Sequence, residues 1–166
     1  MNETNDQIYE LLTELLDQAT EKDKENLVSL LTGVQKKQRD QYKTYLAGYM
    51  GIQSKLLNEN TYESIIPNRE LIHNPLDIVH GGITASLIDI AMGSLVHQTL
   101  SSNQAAVTSE MNIHYLAKGT GSEIRCRSEV VYKSDTRWVV KANVYRDDQK
   151  IIATATGNFM IIPRKA

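Results

Sequence analysis

The chain has 166 residues, of which 41% are hydrophobic and 23% are charged. This composition is ordinary for a globular domain and excludes a disordered or fibrous protein, while the length is sufficient to bury a core. With 18 basic and 20 acidic residues, the formal charge of -2 does not favour nucleic acid or an anionic membrane as the main partner.

Three further features indicate a cytoplasmic protein. The single cysteine, Cys126, cannot form an internal disulfide, which favours a reducing compartment. The N-terminus, MNETNDQIYE, lacks the basic and apolar regions of a signal peptide. No run of residues approaches the roughly 18 apolar residues that a membrane span requires. We therefore expect a cytoplasmic protein with no membrane partner.

The first part of the chain repeats apolar residues with helical spacing. One stripe runs from Ile8 to Leu16, and a second runs from Leu27 to Val34. The polar stretch over 20–24 is predicted to be a turn or a cap. The second helix is predicted to continue through Tyr42 and Tyr45 as far as Leu46. We expect an N-terminal helical extension over residues 1–49.

Beyond residue 50 the pattern changes to strands around one apolar helix. The expected elements are strands over 52–57 and 61–66 joined by a hairpin, a helix over about 82–100, and strands over about 105–116, 123–133, 138–146 and 151–162. This order does not alternate as βαβ units. We therefore expect an α+β domain over residues 50–166, with an antiparallel sheet and a single long helix on one face.

The strand over 105–116 alternates strictly in the predicted arrangement. One face is expected to carry Val107, Ser109, Met111, Ile113 and Tyr115. The opposite face is expected to carry Thr108, Glu110, Asn112 and His114. Successive side chains of a strand point to opposite faces, so the prediction separates Thr108 from Tyr115.

The predicted long helix contains one ionisable residue in its apolar stretch. Between Gly82 and Val96 nearly all residues are small or apolar, and the ionisable exception is Asp89. The positions one turn away offer no cation to pair with it. A helix that is apolar on all sides is usually buried, so Asp89 is either a sheltered base or nucleophile or a marker of the helix's solvent edge.

Two glycines, Gly81 and Gly82, open this helix. They either supply backbone freedom and close packing, or they leave unhindered N–H groups at a helix N-terminus to bind a developing oxyanion. Gly81 and Asp89 are eight residues apart, which is about 12 Å along a helix axis. If both groups act on one bond, they come from two chains, which predicts a dimer with sites at the subunit interface.

The sequence NPLDIVHGG over residues 74–82, followed by Asp89, resembles the signature of the PaaI-like acyl-CoA thioesterases. These belong to the hotdog superfamily, together with the thioesterase superfamily member 2 type. The resemblance spans about residues 50–162 and includes the strands around 107–116 and 153–159. It implies a hotdog fold, in which an antiparallel sheet of about six strands wraps around one long central helix.

The resemblance also implies an activity and five catalytic-site residues. The reaction is hydrolysis of an acyl-CoA thioester to free acid and CoA, in a dimer or tetramer. Asp89 matches the carboxylate that acts as base or nucleophile, and the Gly81 N–H matches the group that holds the thioester oxygen. Asn74 matches a residue that polarises this oxygen, His80 one that shapes the loop, and Thr108 one that orients the attacking water.

Substrate contacts are expected at Gly82, Lys118 and Arg137. Gly82 adjoins the expected oxyanion site. Lys118 and Arg137, together with Lys133 and Lys141, either contact the phosphates of CoA or are solvated surface charges. No metal or other cofactor is required, since CoA is part of the substrate. The sequence departs from the family over 116–119, where a proline is usual, and over 135–137, where glycine-arginine is usual.

Other sites and functions are less well supported by the sequence. The three histidines His73, His97 and His114 lack zinc-like spacing with cysteine, and Cys126 is expected to be a packed core thiol.

A non-catalytic regulator that senses acyl-CoA and binds DNA through its helices is the main alternative. However, residues 1–49 contain nine acidic and six basic residues, whereas a DNA-binding module should be basic. A sensor would not need Asp89, whereas an enzyme would. A third interpretation, compatible with catalysis, is that the leucine stripes of the helices mediate oligomerisation or bind a partner.

Overall fold

In the computed structural model, which describes residues 3–164, the chain divides into two compact units, Met1–Gly51 and Ile52–Ala166. The first unit contains three helices, α1 (Glu3–Gln18), α2 (Glu21–Gln38) and α3 (Tyr45–Met50). Thr20 caps α2, because its hydroxyl accepts from the Asp23 N–H while the Asp23 carboxylate accepts from the Thr20 N–H. The predicted turn or cap between the first two helices is confirmed.

The second predicted helix ends earlier than expected. The apolar spacing predicted that it would continue to Leu46, whereas α2 ends at Gln38. Asp40 has a φ of 56°, in the left-handed region, and a right-handed helix cannot continue through such a residue. The chain then starts α3 after a new cap, where the Thr44 hydroxyl accepts from the Ala47 N–H.

Two glycines bring α2 and α3 into close backbone contact. A Cβ on Gly33 would lie 2.5 Å from the Gly48 carbonyl oxygen, and a Cβ on Gly48 would lie 2.6 Å from the Gly33 oxygen. No other residue fits at either position without moving the backbone. The turn after α2 therefore contributes to the packing of this unit, because it lets Gly48 of α3 approach Gly33 of α2.

The second unit is an antiparallel sheet of six strands with one long helix. In chain order its elements are β1 (Gln53–Asn58), β2 (Thr61–Pro67), a 3-10 turn (Glu70–Ile72), α4 (Gly81–Thr99), β3 (Gln104–Tyr115), β4 (Glu123–Lys133), β5 (Arg137–Arg146) and β6 (Ile151–Pro163). The order across the sheet is β1-β2-β4-β5-β6-β3, and all neighbours are antiparallel. The bounds of the strands and of α4 agree with the predicted elements to within one or two residues.

One face of α4 is buried against the sheet. Leu87, Ile88, Met92 and Leu95 on this face are each 0% exposed, and the helix packs against β2 to β6. The face of α4 that carries Asp89 is only half-buried. The expectation that this helix is buried on all sides is therefore wrong for a single chain, because the sheet covers only one side of the helix. In the described part of the chain, no helix combines the length and hydropathy of a membrane span.

β3 lies at one edge of the sheet, and a bulge changes which of its residues face α4. Its pairing with β6 shifts between Thr108 and Glu110, so that Ser109 is an extra residue in the strand. Thr108 and Tyr115 therefore face the same side, and both hydrogen-bond to α4. The strict alternation predicted for this strand is wrong, because the extra residue reverses the phase beyond it.

Candidate active site

Asp89, near the middle of α4, is held by a hydroxyl group from β3. Thr108 Oγ1 donates to Asp89 Oδ1 at 2.7 Å. No cation among residues 3–164 lies within ion-pair distance of this carboxylate, as its helical neighbours predicted. The hydroxyl is the donor in this hydrogen bond, and its lone pairs stay available to accept from a water molecule. The pair can therefore position a water molecule and accept a proton from it.

The first turn of α4 leaves the Gly81 N–H free. His80 is the N-cap, and its Nδ1 accepts from the Gly82 N–H at 2.9 Å. The Ile83 and Thr84 N–H groups donate to the His80 carbonyl oxygen at 3.0 and 3.1 Å. Within the described residues, the Gly81 N–H alone in this turn has no acceptor, and it lies at the positive end of the helix dipole. The Gly82 N–H, predicted to contact substrate, is already used by the cap.

Tyr115 also belongs to this candidate site, although its sequence position did not indicate it. Its hydroxyl donates to the Gly81 carbonyl oxygen at 2.9 Å, and this bond ties the end of β3 to the first turn of α4. A Cβ on Gly81 would lie 3.7 Å from the tyrosine ring, so the ring also covers this glycine. Tyr115 lies within the segment that resembles the family's central strand, so the resemblance could have pointed to it. Strict alternation instead placed Tyr115 on the face away from Thr108.

The loop before α4 orients Asn74 through its side-chain oxygen. Asn74 Oδ1 accepts from the Leu76 N–H at 2.9 Å, and the Asn74 N–H donates to the Ile78 carbonyl oxygen at 2.9 Å. Because the oxygen is used within the loop, the side-chain Nδ2 remains as the group that can donate to a ligand. That Asn74 polarises a carbonyl oxygen stays a prediction.

Lys118 and Arg137 occupy different parts of the second unit. Lys118 precedes Gly119, whose carbonyl oxygen accepts from the Val79 N–H at 3.0 Å, so Lys118 adjoins the loop that leads into α4. Arg137 is exposed, while its neighbour Trp138 is buried on the helix side of the sheet. The Arg137 side chain therefore lies on the opposite face of the sheet, and a single chain does not bring it to Asp89.

Two other ionisable groups are buried away from Asp89. Burial raises the pKa of the Cys126 thiol, which stays protonated, so the predicted core role is confirmed. Burial would also raise the pKa of Glu63, but the hydrogen bond from Arg127 and the charges of Arg125 and Arg127 outweigh it and hold the pKa below its usual range. Among residues 3–164 no group of three or more His, Cys, Asp or Glu residues could hold a metal ion.

The carboxylate and the free amide are too far apart to act together within one chain. Asp89 and Gly81 lie on the same helix, eight residues apart, which corresponds to about 12 Å along the axis. A carbonyl group bound to the Gly81 N–H would sit beyond the reach of the aspartate side chain of the same molecule. The two groups can act on one carbonyl only if a second copy supplies one of them.

Comparison with protein families and curated proteins identifies related sequences. The family profile described as "Thioesterase superfamily" matches residues 76–153. The medium/long-chain acyl-CoA thioesterase YigI of Salmonella typhimurium is 27% identical over 97 residues, which cover 51% of this chain and 63% of that protein. The putative esterase SSO2140 of Saccharolobus solfataricus is 31% identical over 100 residues, covering 60% of this chain and 71% of that protein. The chain thus spans 63% of the length of the YigI proteins it matches.

A similar solved structure contains CoA. It is the BH2602 protein from Bacillus halodurans, determined with CoA, which matches with a TM-score of 0.86 and 38% sequence identity. The match covers 93% of this chain and 99% of that chain, so it extends beyond the second unit into the helices of the first. These comparisons confirm the predicted hotdog fold and the resemblance to hotdog thioesterases.

Proposed function

Because the chain belongs to the thioesterase superfamily, we propose that it hydrolyses acyl-CoA thioesters to free acid and CoA, with Asp89 as its catalytic carboxylate. The observation that carries this proposal is the hydrogen bond between Asp89 and Thr108, on a helix whose first amide is free. The names of the YigI relatives and the CoA in the BH2602 structure support the acyl-CoA class.

In the proposed reaction, water attacks the thioester carbonyl carbon and Asp89 accepts its proton. The negative charge that forms on the carbonyl oxygen is stabilised by the Gly81 N–H and by Asn74 Nδ2. The carbon–sulfur bond then breaks, and the CoA sulfur leaves with the proton that Asp89 received. Thr108 holds the water, and His80 fixes the first turn of α4 by capping it. The alternative, attack by Asp89 itself, would pass through an anhydride.

We further propose a dimer with two shared sites, because Asp89 and Gly81 of one chain are too far apart to act on one carbonyl group. β3 is an edge strand of 12 residues that carries Thr108 and pairs only with β6 in the described chain. Such an edge is available to a second copy. Pairing there would place the half-buried face of α4 against the partner, so that each site would take Asp89 from one chain and Gly81 from the other.

A tetramer is the other assembly that the proposal accommodates. α1 has no buried residue in the described chain, and Leu11, Leu15 and Leu16 are each at least half exposed, at 57%, 51% and 50%. These side chains offer an apolar surface for further association. A cytoplasmic location, and the absence of nucleic-acid and membrane partners, remain predictions from the composition.

The Tyr115→Phe variant should lower kcat about tenfold and leave KM within about twofold of the wild type. The hydroxyl donates to the Gly81 carbonyl oxygen, and so it fixes the Gly81 peptide next to the oxyanion N–H. The loss of one hydrogen bond should reduce the free energy of unfolding by about 1 kcal/mol. Steady-state kinetics and chemical denaturation measure the two effects. A larger KM with an unchanged kcat would assign Tyr115 to substrate binding instead.

The activity itself is tested by release of free thiol from a panel of acyl-CoA substrates. The proposal predicts turnover of at least one substrate without added metal, with the acid and CoA formed in equal amounts. Binding of acyl-CoA without turnover, across straight-chain, aromatic and hydroxylated acyl groups, would contradict it and favour the regulator.

A further inference from the structure

The loop before α4 is closed by a short antiparallel bridge. His73 and Val79 face each other as an isolated pair of residues. On one side of this pair the Asn74 N–H donates to the Ile78 carbonyl oxygen at 2.9 Å, and on the other side the His80 N–H donates across the bridge at 2.8 Å. The bridge therefore holds Asn74 at one end of the loop and the N-cap of α4 at the other.

The His73 ring is held by an acceptor that is itself fixed. His73 Nε2 lies 2.7 Å from Asn68 Oδ1. The Asn68 backbone N–H donates to the Ser122 carbonyl oxygen at 2.9 Å, and its Nδ2 donates to the Gly121 carbonyl oxygen at 2.8 Å. Both of these oxygens belong to the connecting segment between β3 and β4, residues 116–122. Asn68 thus links the His73 ring to this connecting segment.

These contacts assign the protonated nitrogen of the His73 ring. Asn68 Nδ2 faces a carbonyl oxygen, so Oδ1 is the side-chain atom that faces the ring. Because an amide oxygen can only accept, Nε2 donates and carries the proton, and Nδ1 of the neutral ring is left as an acceptor. Within residues 3–164, Nδ1 is buried and no group donates to it. The bond from Nε2 to Asn68 therefore sets the orientation of the ring.

The two sides of the bridge are joined to the connecting segment in different ways. The Val79 N–H donates directly to the Gly119 carbonyl oxygen at 3.0 Å, so this side is held by the backbone. The side that carries Asn74 is joined to the same segment through the side chains of His73 and Asn68. Loss of the His73 ring should therefore loosen Asn74 more than Val79 and the start of α4.

We propose that His73 is a positioning residue, which acts with Asn68 to hold Asn74 where its Nδ2 can donate to the thioester oxygen; this rests on the proposed thioesterase function. His73 does not itself touch the substrate in this proposal. A donor stabilises a developing oxyanion only when it is already in place, and a small displacement of such a group lowers the rate. The effect of His73 is thus exerted on kcat, through Asn74.

The first test replaces each partner of the hydrogen bond in the full-length protein. His73→Leu and Asn68→Ala should each lower kcat about tenfold and leave KM within about twofold. His73→Gln keeps a donor near the position of Nε2 and should restore kcat to within about threefold of the wild type. Asn58→Ala is the matched control, because Asn58 Oδ1 also accepts within a turn, from the Asn60 N–H at 3.0 Å. Its kcat and KM should not change.

A double variant tests whether His73 acts through Asn74. Asn74→Ala removes the proposed donor and should lower kcat about 100-fold. In the Asn74→Ala background, His73→Leu should lower kcat by no more than about twofold further. A further tenfold loss would show that His73 acts elsewhere. Unchanged kcat in both His73→Leu and Asn68→Ala, or in Asn74→Ala, would also overturn the inference.

A readout without turnover separates this inference from the proposed function. Spectra of ¹⁵N-histidine-labelled protein should show the His73 proton on Nε2, and a proton on Nδ1 would contradict the inference. In His73→Leu, hydrogen exchange of the Asn74 N–H should become faster, while exchange of the Val79 N–H changes less. This result would support the anchoring of Asn74 even if the wild-type chain hydrolysed nothing, which would defeat the thioesterase proposal alone. Equal exchange of the Asn74 N–H in the wild type and His73→Leu would overturn the inference.

Discussion

The Asp89→Asn variant is expected to hydrolyse acyl-CoA between about 100 and 10,000 times more slowly than the wild-type chain. Asparagine has nearly the same shape as aspartate, and its amide oxygen can still accept the hydrogen bond from Thr108 Oγ1. The substitution therefore removes the proton acceptor and little else. Measurement of kcat/KM by release of free CoA thiol gives the size of the effect.

A matched variant shows whether this loss is specific to the site. Asp40→Asn makes the same chemical change at an exposed residue of the first unit. Asparagine tolerates the positive φ of this position, so the variant should keep both its stability and its activity. Asp89→Asn should show the same circular dichroism spectrum and bind CoA. If it were folded and retained more than about a tenth of the wild-type rate, Asp89 would not be the catalytic carboxylate.

The second large effect is expected for Gly81→Pro, which should lower kcat about 100- to 1,000-fold. Proline lacks the N–H that is proposed to stabilise the oxyanion. The helix itself should remain, because proline is well suited to the first helical position. His80, the preceding residue, already has the extended backbone that proline requires, with φ of -62° and ψ of 136°. The kinetics are measured on the same acyl-CoA as for Asp89→Asn.

Gly81→Ala is the matched variant for this prediction, because alanine keeps the N–H. The added Cβ would lie 3.7 Å from the Tyr115 ring, an ordinary contact. Its kcat should stay within about tenfold of the wild type, well above that of Gly81→Pro. Similar losses in the two variants would show that the space around Gly81 matters and that its N–H does not.

The elements of the second unit were predictable because their sequence signals are local. Turn residues separate the strands, and the apolar composition of α4 distinguishes it from them. The lack of a cation beside Asp89 was predictable for the same reason, since this residue is a lone charge within an apolar helix, whereas its catalytic role stays a prediction. The end of α2 was not, since Tyr42 and Tyr45 continue the helical spacing across a turn that depends on the left-handed conformation of Asp40.

The position of Tyr115 depends on an interaction between distant parts of the chain. The bulge at Ser109 becomes visible only when β3 is paired with β6, because the strand sequence by itself alternates without a break. Pairing shows that Tyr115 faces α4 and bonds to Gly81. In the same way, the sequence does not distinguish the two glycines of the first turn, whereas the structure does. The His80 ring accepts a hydrogen bond from the Gly82 N–H and leaves the Gly81 N–H free.

The central claim is that two chains share each site, and mixing two inactive variants tests it most directly. Asp89→Asn supplies an intact Gly81, and Gly81→Pro supplies an intact Asp89. After complete subunit exchange, half of the dimers would contain both chains and have one complete site of two, which predicts about a quarter of the wild-type activity. If mass spectrometry shows mixed dimers while activity stays at the level of the separate variants, the two groups do not act together across the interface.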